Sequence, residues 1–294
     1  MRSAGVRAAI RQTVLLLVAL VLVAAMWELY KWFGPAEGGD VIGWDLLPAT
    51  RDSAMPHTWD IVNRLFEPER PGADRDAWRL VLAASWFTFR LAMVGFVIGA
   101  AVGVALAVVM ARFSVARRGL LPYLVASQTV PLIALAPIVV SWSDRVHPFG
   151  WDLPKWSTVA LMSAFLAFFP ASVGTLRGLT SLPGVSEELL RSYAASWRNT
   201  LFRIRFPAAI PSMAPAFRLA ASASVIGAIV AEISTGLAGG IGRLVFEWAG
   251  QVTSDPPKAY TAAFGAAALG LMAVGVVAVA EALLMRNRPR EATL

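Results

Sequence analysis

Residues 192–211 read SYAASWRNTLFRIRFPAAIP, and they lie between two apolar runs, about 157–179 and 212–234, each long enough to cross a lipid bilayer. The stretch holds Arg198, Arg203 and Arg205, with Arg191 just before it, and carries Pro207 and Pro211 at its end. It is too polar to span. What surrounds it sets the fold class, and its own pattern bears on function.

The surroundings are those of a membrane protein. The chain of 294 residues is 57% hydrophobic and 15% charged, against about 45–50% and about 25% for a soluble domain. Six apolar runs of about 20 residues are present, the length of a spanning helix. The first, 13–33, follows Arg2, Arg7 and Arg11. A basic start and an apolar core also describe a secretory signal peptide. Here the run continues into Trp27, Tyr30 and Trp32, an interfacial aromatic set, so an uncleaved span is expected. The others lie at about 86–110, 120–142, 157–179, 212–234 and 259–285, with Pro170 a weak point in the fourth.

Charge orients these spans. Residues 34–77 carry nine acidic groups against four arginines, whereas 111–119, 180–211 and 286–294 are rich in arginine. Positive charge is retained on the cytoplasmic face, so both termini are expected in the cytoplasm. The expected organisation is a first transmembrane helix (1–33), an extracytoplasmic segment (34–85), a five-helix core (86–285) containing the cytoplasmic loop 180–211, and a cytoplasmic tail (286–294).

Several chemistries are excluded. With no cysteine, there are no disulfides or thiolate sites. None of the three lysines, Lys31, Lys155 and Lys258, follows a glycine, so the chain lacks the phosphate-cradling Gly-Lys-Ser/Thr loop. His57 and His147 fall in expected outer loops without metal-ligand spacing, and no metal site or catalytic residue is expected. The net charge of +7 lies beside apolar spans and reads as orientation, not nucleic-acid binding.

The opening stretch, taken from 188, reads as helix, turn, helix: 188–193 and 197–205, with Pro207 and Pro211 ending the pattern before the fifth span. Leu190, Tyr193, Trp197 and Leu201 recur at three or four residues, a helical stripe. Such a segment can lie on lipid, pack on its own bundle, or enter a groove of a partner. Composition leaves the three open.

The segment resembles the cytoplasmic EAA loop of the permease subunits of bacterial ABC importers. That pattern is Glu-Ala-Ala, three residues, Gly, nine residues, Ile, any residue, Leu-Pro. Here Glu188-Leu189-Leu190 is followed by three residues, Ala194 takes the glycine place, and Ile204, Arg205, Phe206 and Pro207 come nine residues later. Three other stretches resemble the nitrate, sulfonate, taurine and pyrimidine-precursor branch. They are TFRLAMVGF (88–96), SQTVPLIALAPIVVSW (127–142) and ASVIGAIVAEISTGLAGGIGRLV (223–245).

The resemblance implies an all-α integral membrane fold of the type I ABC importer permease kind, with six transmembrane helices, in the bacterial cytoplasmic (inner) membrane. It implies a second permease subunit, two cytoplasmic ATPase subunits that hold ATP and Mg, and an extracytoplasmic substrate-binding protein. This chain would be no enzyme and bind no cofactor. Its ATPase-coupling loop would comprise Glu188, Tyr193, Ala194, Ala195, Ser196, Trp197, Arg198, Leu201, Phe202, Ile204 and Pro207, with Trp197 or Phe202 filling a pocket in the ATPase. An alanine at the glycine place is costly if the backbone there has positive φ, so a more helical turn is expected at Ala194. Gln128, Thr129, Pro131, Ser222, Ser224 and Glu232 are the candidates for the translocation path or its gate. Small residues of the fifth span read as helix contacts, Glu232 equally as gate or structural group, and Glu281 as an interfacial charge. The alternative is a stand-alone secondary transporter or channel with an amphipathic cytoplasmic loop.

Overall fold

The computed structural model describes residues 2–41, 44–143 and 154–285. His147, most of the expected outer return at 143–156, and the tail 286–294 lie outside the described residues. The chain divides into two compact units, Met1–Val81 with Glu247–Ala263, and Leu82–Phe246 with Phe264–Leu294.

In the first unit, α1 (Arg2–Phe33) contains the expected first span as continuous helix. A short antiparallel hairpin, β1 (Gly39–Val41) and β2 (Trp44–Leu47), follows and is a small departure from the all-α expectation. Then comes α2 (Thr58–Leu65). The acidic segment is thus folded, and hydrogen bonds tie it to α1. Trp27 Nε1 donates to the Pro56 carbonyl at 2.9 Å, and Tyr30 Oη donates to the Pro48 carbonyl at 2.9 Å. The Lys31 ammonium sits on Asp52 and holds its carboxyl below the ordinary range.

In the second unit, small residues decide the packing. Helix α3 (Ala77–Arg112) places Gly95, Gly99 and Gly103 four residues apart, on one face. A Cβ on any of them would sit 2.3–2.6 Å from Ser163, Ala164 or Phe168 of α6 (Trp156–Leu179). Helix α6 in turn meets α9 (Phe206–Thr235) through Gly174 against Ala216 and Gly178 against Ala209. Ala220, Ala221, Gly227 and Ala228 of α9 are buried. Lipid is as apolar as a helix flank, so close backbone approach, not exclusion of water, drives such contacts. Pro170 is no weak point. It is buried within an unbroken α6, where neighbouring helices tolerate the lost bond.

Among the described residues, four helices can cross a membrane by length and composition: Ala77–Arg112, Trp156–Leu179, Trp197–Thr235 and Pro256–Leu283. The expected third span is not one helix. It is α4 (Ser114–Ser127) and α5 (Leu132–Ser143), bent by 101°. Pro131 is the last residue of the break, and a residue before proline avoids the helical region. Counting the bent pair as one span makes five. After α9 comes α10 (Ile241–Ala249), and α11 (Pro256–Met285) carries the last of these spans.

The fifth expected span starts earlier than its prolines suggested. Helix runs without a break from Trp197 to Thr235, through α8 (Trp197–Thr200), a π-helical turn (Leu201–Arg205) and α9. The Phe206 amide bonds the Leu201 carbonyl, five residues back. Pro207, next in line, falls in the first turn of α9, where it has no amide to satisfy. The wider turn absorbs the proline.

Candidate functional site

The loop closes by two local devices. Helix α7 (Gly184–Ser192) ends in a Schellman turn: the Ala195 amide donates to the Leu190 carbonyl at 3.1 Å, across Ala194. That turn puts its central residue in the left-handed region, usually glycine. Ala194 is there at φ 50, the one non-glycine residue with positive φ among the described residues. The expected relaxation toward helix does not occur, because the Schellman bond requires the left-handed residue. Ser196 then caps α8, its Oγ accepting from the Asn199 amide at 3.4 Å, the usual serine role at a helix start.

Ala194 is exposed, so nothing but backbone strain holds it back. Ala194→Gly is expected to stabilise the protein by about 1 kcal/mol, the lower end of the left-handed penalty for an L-residue. A raised thermal midpoint of the purified protein checks this.

The turn at 193–196 breaks the expected four-residue stripe and sorts its members. Leu201 is 2% exposed and forms a cluster with Leu179 and Ala209, against which Trp197, Phe206 and Met213 pack. The Arg112 guanidinium, at the end of α3, lies 5.2 Å over the Trp197 ring, within cation–π range. Arg205 donates from Nη1 to the Leu179 carbonyl at 3.0 Å, meeting the last carbonyls of α6, where a cation is favoured. Trp197 therefore faces its own bundle. Tyr193 and Phe202 face outward, 76% and 66% exposed, as do Val185 and Leu189. Glu188, Ala195, Ser196 and Arg198 are exposed, and Ile204 and Pro207 are half-buried. Arg112, Val185 and the Arg205–Leu179 bond carry no local signal in sequence.

The candidate path residues separate. Gln128, Thr129 and Pro131 are exposed at the α4–α5 bend. Ser222 is half-buried and donates to the Leu219 carbonyl at 2.9 Å. Ser224 is buried and donates to the Ala221 carbonyl at 2.7 Å.

Glu232 is 0% exposed. Its carboxylate accepts from Thr88 Oγ1, at 2.7 and 2.9 Å to its two oxygens, and from the Gly242 amide at 2.9 Å. Thr88 Oγ1 also accepts from the Ile241 amide at 2.9 Å. A Cβ on Gly240 would lie 2.1 Å from the Glu232 carboxyl carbon. The carboxylate is thus wrapped by 240–242 and sits at the start of α10, where unpaired amides and the helix dipole favour negative charge. It ties α3, α9 and α10 together. Glu281, read as an interfacial charge, is paired: Arg218 donates to its carboxylate from Nε and Nη2, both at 2.8 Å.

A bundle built on α3, α6 and α9, with several helices long and apolar enough to cross a bilayer, is that of a multi-pass membrane protein. Residues 99–290 match the model of the binding-protein-dependent transport system inner membrane component, and the chain belongs to that family. It is similar to the formylaminopyrimidine transport permease of Halalkalibacterium halodurans, 32% identical over 204 residues, 69% of this chain and 77% of that one. It is also similar to the putative aliphatic sulfonates transport permease of Bacillus subtilis, 28% identical over 156 residues and 53% of each chain. The nitrate import permease of a Synechocystis species is 25% identical over 193 residues, 65% of this chain and 66% of that one. The chain is a permease subunit of an ABC importer for a small molecule, in the inner membrane, and the stand-alone carrier reading gives way to this.

Proposed function

We propose that the chain couples ATP hydrolysis in a separate subunit to alternating access through residues 188–207. In this reading the chain has six spans, with both termini and this loop in the cytoplasm. The chain pairs with a second permease subunit, and each permease docks on one of two ATPase subunits, which hold the ATP and Mg. An extracytoplasmic binding protein delivers the substrate, a small molecule of the kind that the similar permeases carry.

The exposed side of the loop carries this reading. Tyr193, Arg198 and Phe202 look away from the bundle, while Trp197, Leu201 and Arg205 grip it. Aromatic anchors ringed by arginine suit a pocket with acidic rim groups. The inner grip passes a push on the loop to α3, α6 and α9 at once, since Arg112, Leu179 and Ala209 belong to those helices. Of the candidate path residues, Gln128, Thr129, Pro131 and Ser222 are assigned to the path, and Ser224 and Glu232 to holding its walls.

Co-expression with the ATPase of the same importer tests the assignment. The two are expected to co-purify and hydrolyse ATP together, with no hydrolysis by the permease alone. Hydrolysis by the permease alone, or no association, overturns it. The ligand of the co-purified binding protein, identified by mass spectrometry, names the substrate.

A further inference from the structure

We propose that α2 is a lipid-facing helix, its exposed stripe Trp59, Val62 and Phe66 seated in the headgroup–acyl boundary of the bilayer. At 100° per residue these three, with Asn63, fall on one side of the helix. They are 53%, 53% and 68% exposed. The opposite side is committed: Ile61 and Arg64 are buried. The helix is therefore inverted relative to a helix on a soluble core, where the bulkiest apolar groups face inward.

Its depth follows from what holds it. The Glu28 carboxylate of α1 accepts from the Thr58 amide at 2.6 Å and from Thr58 Oγ1 at 2.7 Å, and meets His57 Nδ1 at 2.7 Å. Glu28 stands five residues before the end of α1 at Phe33, about 7.5 Å along the axis. On the other flank, Arg64 Nε donates to Asp255 at 2.7 Å, and Asp255 directly precedes the membrane-crossing helix that starts at Pro256. Tyr260 Oη, in the first turns of that helix, donates to the Ala54 carbonyl at 2.8 Å. So α2 is fastened to the ends of two long apolar helices, at the level where a bilayer passes from acyl chains to headgroups.

The same level carries an aromatic set. Trp27 meets Tyr260 edge-on at 5.7 Å, and Trp32 and Phe33 of α1 stand exposed. Tryptophan and tyrosine gather at membrane–water boundaries because one part of the ring is apolar and another polar. The stripe of α2 continues that belt, and this continuity selects lipid as its occupant. Eight residues are too short to bind a bilayer by themselves; the bonds through Thr58 and Arg64 supply the order instead. The acidic segment is then a cap that rests on the membrane through α2 and keeps its charges in water.

The absence of cysteine makes the test direct. Single variants Trp59→Cys, Val62→Cys and Phe66→Cys of the full chain are labelled with an environment-sensitive fluorophore. They are then reconstituted in phosphatidylethanolamine–phosphatidylglycerol vesicles with or without a nitroxide-bearing lipid. Asn63→Cys removes no apolar group and reads the edge of the stripe should a larger side chain prove necessary for folding. Asp52→Cys reports the aqueous level. The stripe positions are expected to emit further to the blue than position 52 and to be quenched more strongly by the nitroxide lipid, with position 63 between. Equal quenching at all positions overturns the proposal. Self-quenching between labels on two chains would instead assign the stripe to a second copy. Protection that appears only on adding a binding protein would assign it to that partner.

Discussion

Trp197→Ala is expected to abolish ATP-driven uptake while leaving the ATPase subunit bound, and Arg198→Glu to release the ATPase while leaving the permease folded. The two residues are adjacent, yet the structure treats them differently: Trp197 is half-buried against the bundle and Arg198 is exposed. Truncating Trp197 empties its place against Leu179, Leu201 and Ala209 and removes one of the two rings, with Phe113, that the Arg112 guanidinium lies over. A fully buried tryptophan costs about 3–5 kcal/mol on truncation. Trp197 is half-buried, so about 2 kcal/mol is expected, enough to loosen the loop from the bundle without unfolding it. Arg198 is exposed, so reversing its charge is expected to act on the proposed ATPase contact and to spare the bundle. An interface hot spot is worth about 2 kcal/mol or more, roughly a thirtyfold loss of ATPase affinity. Uptake into vesicles and co-purification, measured on both variants, check the pair. Loss of ATPase binding in Trp197→Ala with normal binding in Arg198→Glu would reverse the two faces.

The second large effect concerns Glu232. Glu232→Ala strands the Thr88 hydroxyl and the Gly242 amide in a buried site, and is expected to cost about 3–5 kcal/mol, as loss of one partner of a buried charged network does. Gly240→Ala should be comparably damaging, because its Cβ would collide with the Glu232 carboxyl group. The double variant separates packing from charge. With alanine at 232 the collision is gone, so adding Gly240→Ala to Glu232→Ala should cost much less than adding it to the native chain. Thermal midpoints of the four proteins in detergent give the coupling directly. Additive losses would mean that 240–242 do not wrap the carboxylate.

These two sites differ in how far the sequence reveals them. The loop is local chemistry. Glu188, Ile204 and Pro207 stand at set spacings, and their pattern can be read along the chain because a helix, a turn and a cap involve residues within a few positions. The error at Ala194 was also local: side-chain preference pointed to helix, and the bond from Ala195 to Leu190 outweighed it. The prolines misled for a similar reason, since a π-helical turn that accommodates Pro207 has no signature in composition. The Glu232 clamp is different. Its partner Thr88 is 144 residues away, and no periodicity connects them.

By itself the sequence determined that the chain crosses a membrane several times, that its basic loop has importer spacing, and where most spans lie. Hydropathy and charge act residue by residue, so their sums survive without coordinates. Only the tertiary structure decided that Trp197 faces inward and Phe202 outward, that Glu232 is a clamp, that the third span bends through 101°, and that α2 shows its aromatic side to the outside. All but the bend, which Pro131 marks locally, depend on which distant surfaces meet, and between α3, α6 and α9 they meet where glycine and alanine let backbones approach.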